Sequence, residues 1–164
     1  MTEAAKRLYE RQLESGVKVD FFTVSNCLVN MVSPEQYRDI LLAFDCRIAE
    51  AFGCIGIHNC AWNADPYIDD YAGVPHLGYI DMGLDSDLAR ARKTFTHARR
   101  SLMYRPTDLA NKTMETIRTE MERVAREYAP CDVVVADIEA ETPDERVLAF
   151  LELCGQINSR MENK

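Results

Sequence analysis

The stretch from Ser33 to Cys60 reads SPEQYRDILLAFDCRIAEAFGCIGIHNC, and its reading decides the fold. Ser33 suits the N-cap of a helix, Pro34 its first position and Glu35 its first turn. There a side-chain oxygen, a preset φ and a negative charge each suit the free N–H groups of the helix end. Apolar residues then recur at helical spacing up to Phe52, and Gly53 supplies a stop. The run CIGIHNC that follows is short, apolar and β-branched, and it ends in a histidine and a cysteine two positions apart. In an extended strand, residues i and i+2 point to one face, so His58 and Cys60 can converge on one point. A helix that passes through a glycine into a strand is the unit from which parallel sheets are built.

The same alternation continues in both directions. Upstream, AAKRLYERQLES is an amphipathic helix closed by Gly16, and VDFFTVSNC is a β-rich run. Downstream, ADPYIDDYAG makes a short helix or turn and PHLGYIDMG reads as the third strand. SDLARARKTF is a second Ser-capped helix, with Ser86 at the cap, and RRSLMY is the fourth strand. RPTDLANK then leads into the helix TMETIRTEMERVAREY, in which Ile117, Met121, Val124 and Tyr128 share a face. CDVVVADIE is the most apolar strand, and TPDERVLAFLELCGQINSRM is the last helix. Five βα units preceded by a helix give an α/β fold with parallel pairing. No linker, repeat or low-complexity segment divides residues 1–164, which are read as a single domain.

Composition narrows the function classes. The formal charge of −8 over 164 residues opposes non-specific binding to nucleic acid or to an anionic membrane, both of which need a cationic face. Arg90, Arg92, Lys93, Arg99 and Arg100 do cluster, which fits a solvated helix face or a local anion contact. No run is long and apolar enough to read as a membrane span. The opening segment lacks the apolar core of a signal peptide, so a cytoplasmic setting is expected. Such a setting keeps thiols reduced, and six cysteines without CxxC spacing fit it. Most of them suit small core positions. Cys60, beside His58, and Cys27 invite a chemical reading. Phosphate loops of the GxGxxG or GxxxxGK type and a GxSxG elbow are absent.

Every strand delivers polar or reactive residues at its carboxyl end, where parallel α/β folds build their sites: Ser25-Asn26-Cys27, His58-Asn59-Cys60, Tyr79 to Asp81, Tyr104-Arg105, and Asp137 to Glu139. His58 and Cys60 form either a metal-binding pair or a hydrogen-bonded histidine beside a thiol. Arg105 can clamp a substrate carboxylate bidentately, or it can pair with Asp108 or another nearby acid. Asp81 and Asp137 suit a base, a ligand or an N-cap partner. Asn26 and Asn63 are candidates for cofactor contact.

These segments, taken in order from SPEQYRDILLAFDCRIAEAF through GIHNC, YIDMGLDSDLARARKTF and YRPTDLANKTMETIRTEMERV to VVVADIEAETPDERVLAFLEL, resemble the carboxyl-terminal half of the uroporphyrinogen decarboxylase superfamily. That superfamily includes the cobalamin-dependent methyltransferases. The resemblance spans residues 15–155. It implies part of a TIM (β/α)8-type barrel, five units matching strands four to eight, with two open edges. Such a half-barrel is expected to associate, either with itself or with an amino-terminal half-barrel chain.

In the methyltransferase branch the resemblance implies zinc held by His58 and Cys60, a small-molecule thiol as acceptor and a corrinoid as methyl donor. The branch's third zinc ligand is a cysteine at the end of the last strand. Here Ala136 takes its place, which leaves Asp137 or Glu139 as substitutes. The decarboxylase branch implies a metal-free site in which Asp81, Arg105 and Tyr79 bind an acidic or tetrapyrrole substrate. A third reading is a non-catalytic half-barrel that completes a partner chain.

Overall fold

A computed structural model describes residues 2–18 and 22–162. Its elements run in the predicted order. Helix α1 (Thr2–Glu14) precedes strand β1 (Phe22–Ser25). The start of the first predicted strand, at positions 19–21, lies outside the described residues. Ser33 caps α2 (Pro34–Gln36), accepting from the Gln36 N–H at 3.2 Å while the Gln36 side chain accepts from the Ser33 N–H at 2.9 Å. This reciprocal pair satisfies two otherwise unbonded donors. The chain continues through a π-helical turn (Tyr37–Leu41) into α3 (Leu42–Phe52), and Gly53 ends it in the left-handed region at φ 72.

Strand β2 (Ile55–His58) follows, then α4 (Ile68–Ala72), β3 (Leu77–Gly83), α5 (Leu88–Thr94) and β4 (Arg99–Met103). Asp87, not the predicted Ser86, caps α5, accepting from the Arg90 N–H at 2.9 Å. Ser86 is buried instead, and its hydroxyl accepts from the Ala64 N–H. The segment after β4, read from sequence as a connection, contains α6 (Pro106–Asn111), with Pro106 at its first position. Helix α7 (Met114–Glu127) buries Ile117, Met121 and Val124, and Tyr128 just beyond it, as their spacing predicts. Strand β5 (Asp132–Val134) is three residues long, shorter than its apolar run suggests, and α8 (Asp144–Glu162) closes the described chain.

The five strands form one parallel sheet in the order β1-β2-β3-β4-β5. The sheet is open, so β1 and β5 are edges. Ser25 pairs with His58, Tyr79 with Arg99, Asp81 with Ser101, and Ser101 with Asp132. Period-two alternation therefore sorts the strands into two faces. Ile55, Ile57, Ile80, Met82 and Leu102 are fully buried on one face under the helices. Thr23, Ser25, His58, Tyr79, Asp81, Arg99, Ser101 and Asp132 line the other, concave face, which no helix among the described residues covers. This is the geometry of a partial barrel.

The basic cluster of the sequence is split by this arrangement. Arg90 pairs with Asp69, and Arg99 pairs with Asp132 on the concave face. Arg100 is buried on the helix side, where it donates to the Phe95 and Pro130 carbonyls and lies over the Tyr128 ring. Adjacent strand residues face opposite ways, so Arg99 and Arg100 share no surface.

Candidate metal centre

Three soft or borderline donors meet where β1 and β2 end. Cys27, His58 and Cys60 place their ligating atoms within 4.8 Å of one another. Cys60 Sγ lies 3.0 Å from Cys27 Sγ and 3.1 Å from His58 Nε2. Ser25 Oγ lies 2.9 Å from Cys27 Sγ. All three side chains are partly exposed.

The pair forms by a different route from simple strand alternation. Strand β2 stops at His58, and Cys60 sits in a turn at φ 55. That left-handed conformation is uncommon for a residue with a Cβ, and such outliers gather at functional sites. The turn swings the Cys60 thiol back over the strand end to meet the His58 ring. Gly83 makes room for it: the Gly83 N–H donates to the Trp62 carbonyl at 2.8 Å, and an added Cβ would lie 2.1 Å from the Ala61 carbonyl oxygen. The loop that carries Cys60 thus lies directly on the end of β3.

Asp81 organises the centre from below. Its Oδ2 lies 2.6 Å from His58 Nδ1 and accepts from the Tyr79 hydroxyl at 3.0 Å, while its Oδ1 accepts from the Asn59 N–H at 2.8 Å. With Nδ1–H directed at the carboxylate, the Nε2 lone pair faces the two sulfurs, an assignment that follows from the hydrogen-bond pattern. Burial pushes the Asp81 carboxyl above its ordinary value, against the bonds from His58, Asn59 and Tyr79. Burial also pushes the Tyr79 hydroxyl up to about 12, with Asp81 adding to the shift. The Cys60 thiol is pushed up to about 12 by burial, by its bond to Cys27 and by the charges of Asp81 and Asp137. The group of thiols and carboxylates is therefore short of positive charge, and a divalent cation among them would favour the thiolate.

Asn59, between His58 and Cys60, carries no signal of its own in the sequence. It is fully buried, donates from Nδ2 to the Asp81 carbonyl at 2.8 Å and accepts from the Tyr71 hydroxyl at 2.7 Å. Alternation sends its side chain to the helix side, where it ties the ligand-bearing turn to β3 and α4. Asn26 is turned the same way. Its amide donates to Asp45 on α3 at 3.3 Å, and Asp45 also accepts from the Tyr37 hydroxyl at 2.7 Å. Asn63 ties its loop to the one that follows β3, donating to the Asp85 carbonyl and accepting from the Asp65 N–H.

Asp137 is exposed, at φ 55 beyond the end of β5. It acts on Cys60 through its charge but is not one of the three converging groups; Cys27 is the third. Arg105 sits at the N-cap of α6 and is ion-paired with Asp85 at the rim, the second of the arrangements open to it from the sequence.

Beside the Cys27, His58 and Cys60 cluster the concave face holds a recess of about 510 Å3. Thr23, Tyr79, Asp81, Arg99 and Asp132 line it, and His58 forms the border with the cluster. On its floor Arg99 grips Asp132 with two hydrogen bonds, of 2.5 and 3.1 Å. Tyr79 and Asp81 thus join the site, with Arg99 as the cation beside them in place of Arg105.

The sequence matches no protein-family model and no curated protein. The fold is similar to that of a methyltransferase from Methanosarcina mazei, with a TM-score of 0.69 at 20% identity. The similarity covers 96% of this chain and 47% of that one, so the chain spans about half the length of its structural neighbour. Among the described residues no helix is long and apolar enough to cross a membrane.

Proposed function

We propose that the chain is a methyltransferase-type half-barrel whose Cys27, His58 and Cys60 hold a zinc ion. The observation that carries this reading is the convergence of two thiols and an imidazole at adjacent strand ends, on the open side of the sheet. The donor set fits the ion. Two cysteines and one histidine form one of the three-ligand sets used by catalytic zinc sites, which keep a further position for water or substrate. Tetrahedral edges of about 3.5–3.8 Å follow from zinc–sulfur and zinc–nitrogen bonds of about 2.3 and 2.0 Å. From contacts of 3.0 and 3.1 Å, the sulfur–sulfur edge needs to open by about 0.8 Å and the sulfur–nitrogen edge by about 0.4 Å. The fold similarity to a methyltransferase supports the reading at the level of architecture.

When bound, zinc would hold an acceptor thiol as its thiolate, the form able to attack a methyl group. The chain's own residues do the rest. Asp81 fixes the tautomer and orientation of His58, as carboxylates do behind metal-ligating histidines. Tyr79 and the Asn59 N–H hold Asp81 in turn. The recess alongside His58 gives a small substrate a polar seat, with Arg99 and Asp132 at its floor. A corrinoid as methyl donor belongs to the same proposal, because it is the donor used in the branch that the sequence resembles.

The test is metal content. Reduced protein dialysed against zinc and then against buffer should retain one zinc per chain. Cobalt substitution should give thiolate-to-cobalt charge-transfer absorption that is lost in Cys27→Ser and Cys60→Ser. Retention by Cys27→Ser equal to the parent chain would overturn the three-ligand reading. Retention by a Cys27→Ser, Cys60→Ser double variant would remove the metal centre altogether.

A further inference from the structure

Cys27 and Cys60 hold a second chemistry that the metal reading does not use. Their sulfurs are 3.0 Å apart, and each residue stands two positions past the end of its strand. Ser25 and His58 are register partners, and the ladder runs one step further through the bond from the Asn26 N–H to the His58 carbonyl, at 2.7 Å. The two cysteines thus leave from adjacent strand ends, and the left-handed turn at Cys60, φ 55, brings its sulfur back to that of Cys27. A disulfide bond is about 2.05 Å long, so the two sulfurs stand about 1 Å from bonding distance. Both side chains are partly exposed on the concave side, and both are free thiols. The fold therefore sets the two sulfurs in direct contact.

We propose that Cys27 and Cys60 are a two-electron redox pair, in which a peroxide converts the two thiols into a disulfide that closes the site to metal. The proposal rests on the metal reading for its consequence, though not for the bond itself. One sulfur attacks a peroxide oxygen, the O–O bond breaks, and a sulfenic acid and water form. The second sulfur displaces that hydroxyl as another water, leaving one S–S bond. Two thiols and one hydrogen peroxide give one disulfide and two waters, the sulfurs being oxidised and the peroxide oxygens reduced. A disulfide offers neither thiolate, so the centre keeps only His58.

The experiment treats the reduced, zinc-loaded chain with hydrogen peroxide, blocks remaining thiols and reads two signals: mass, and zinc released to a colorimetric chelator. The expected product is lighter by two hydrogens, with Cys27 and Cys60 joined in its proteolytic peptides. Zinc is released in step with the cross-link, the affinity falling more than about 100-fold. A thiol reductant with fresh zinc restores both. Cys54→Ser should cross-link like the parent, whereas Cys27→Ser should gain oxygen at Cys60 instead. Oxygen addition to either sulfur of the parent with no cross-link would overturn the proposal. So would a cross-link formed equally between other cysteines, or a cross-linked chain that still binds zinc as tightly. If the reduced chain takes up no zinc, the metal reading falls by itself, and the mass of the oxidised chain still decides whether the pair forms.

Discussion

The two faces of the sheet are built from the same strands, often from adjacent residues, and have opposite characters. Ile80 and Asp81 are neighbours in β3. The first is sealed under the helix layer with Ile55, Ile57 and Leu102, and the second faces the concave side with His58 and Tyr79. Residues on the covered face remove apolar surface from water and contribute mainly to stability. Residues on the open face bury little apolar surface and hold the hydrogen-bonded groups of the site, among them the buried Asp81 and Ser101. Fold and chemistry are thereby carried on alternate positions of the same strands, and substitutions one residue apart should separate them.

The largest effect expected is on the covered face. Ile80→Ala should lower stability by about 2–5 kcal/mol, the cost of a cavity in a packed core. Urea denaturation measures it, and the fraction still folded should keep its zinc. One residue on, Asp81→Asn should weaken zinc binding by about 10–100-fold, as loss of a carboxylate behind a ligating histidine does. Competition with a chelator reads it, and the urea midpoint should move far less than for Ile80→Ala. If Asp81→Asn unfolds the chain, or Ile80→Ala abolishes binding in folded protein, the division between the faces fails.

Asp45 sharpens the comparison, because it is a carboxyl buried in the helix layer. Burial pushes its pKa above the ordinary value, against the bonds from Tyr37 and Asn26. A carboxyl raised in the folded state favours folding most below its unfolded value, near 3.9, and loses that contribution as pH rises through the folded value. Thermal melts of the parent and Asp45→Asn should therefore show the parent gaining relative to the variant as pH falls from 7 toward 4.5. A difference independent of pH would contradict the burial of a titrating group there. The smallest effect belongs to the open face. Arg99 is 68% exposed, so Arg99→Ala should leave the urea midpoint nearly unchanged despite its bidentate bond to Asp132. A larger loss would mean that the recess floor is less exposed in solution than the open sheet suggests.

How much was legible follows from the range of each signal. Caps, helical spacing and glycine stops act within a few residues, so Ser33, Gly53 and the face through Ile117 and Met121 could be read directly. Ser86 misled because Asp87 beside it is an equally good cap, and the buried position of Ser86 depends on a bond to a distant N–H. His58 and Cys60 were legible as a pair by spacing. Cys27 stood out only as a thiol at a strand end, and Asp137, the closer match by strand order, drew the third place. Register decides between them. Parallel pairing sets the end of β1 beside the end of β2, with Cys27 two residues past Ser25, whereas β5 lies at the opposite edge of the sheet.

The sequence by itself determined the order of helices and strands, their parallel α/β class, and the chemistry available at each strand end, because these depend on local periodicity and residue type. Only the tertiary structure decided which strand ends meet. It joined Cys27 to His58 and Cys60, set Asp81 behind the imidazole, turned Asn26 and Asn59 to the helix side, and put Arg99 rather than Arg105 at the recess. Those choices follow from register and from the left-handed turn at Cys60, which are settled by contacts between residues far apart in the chain.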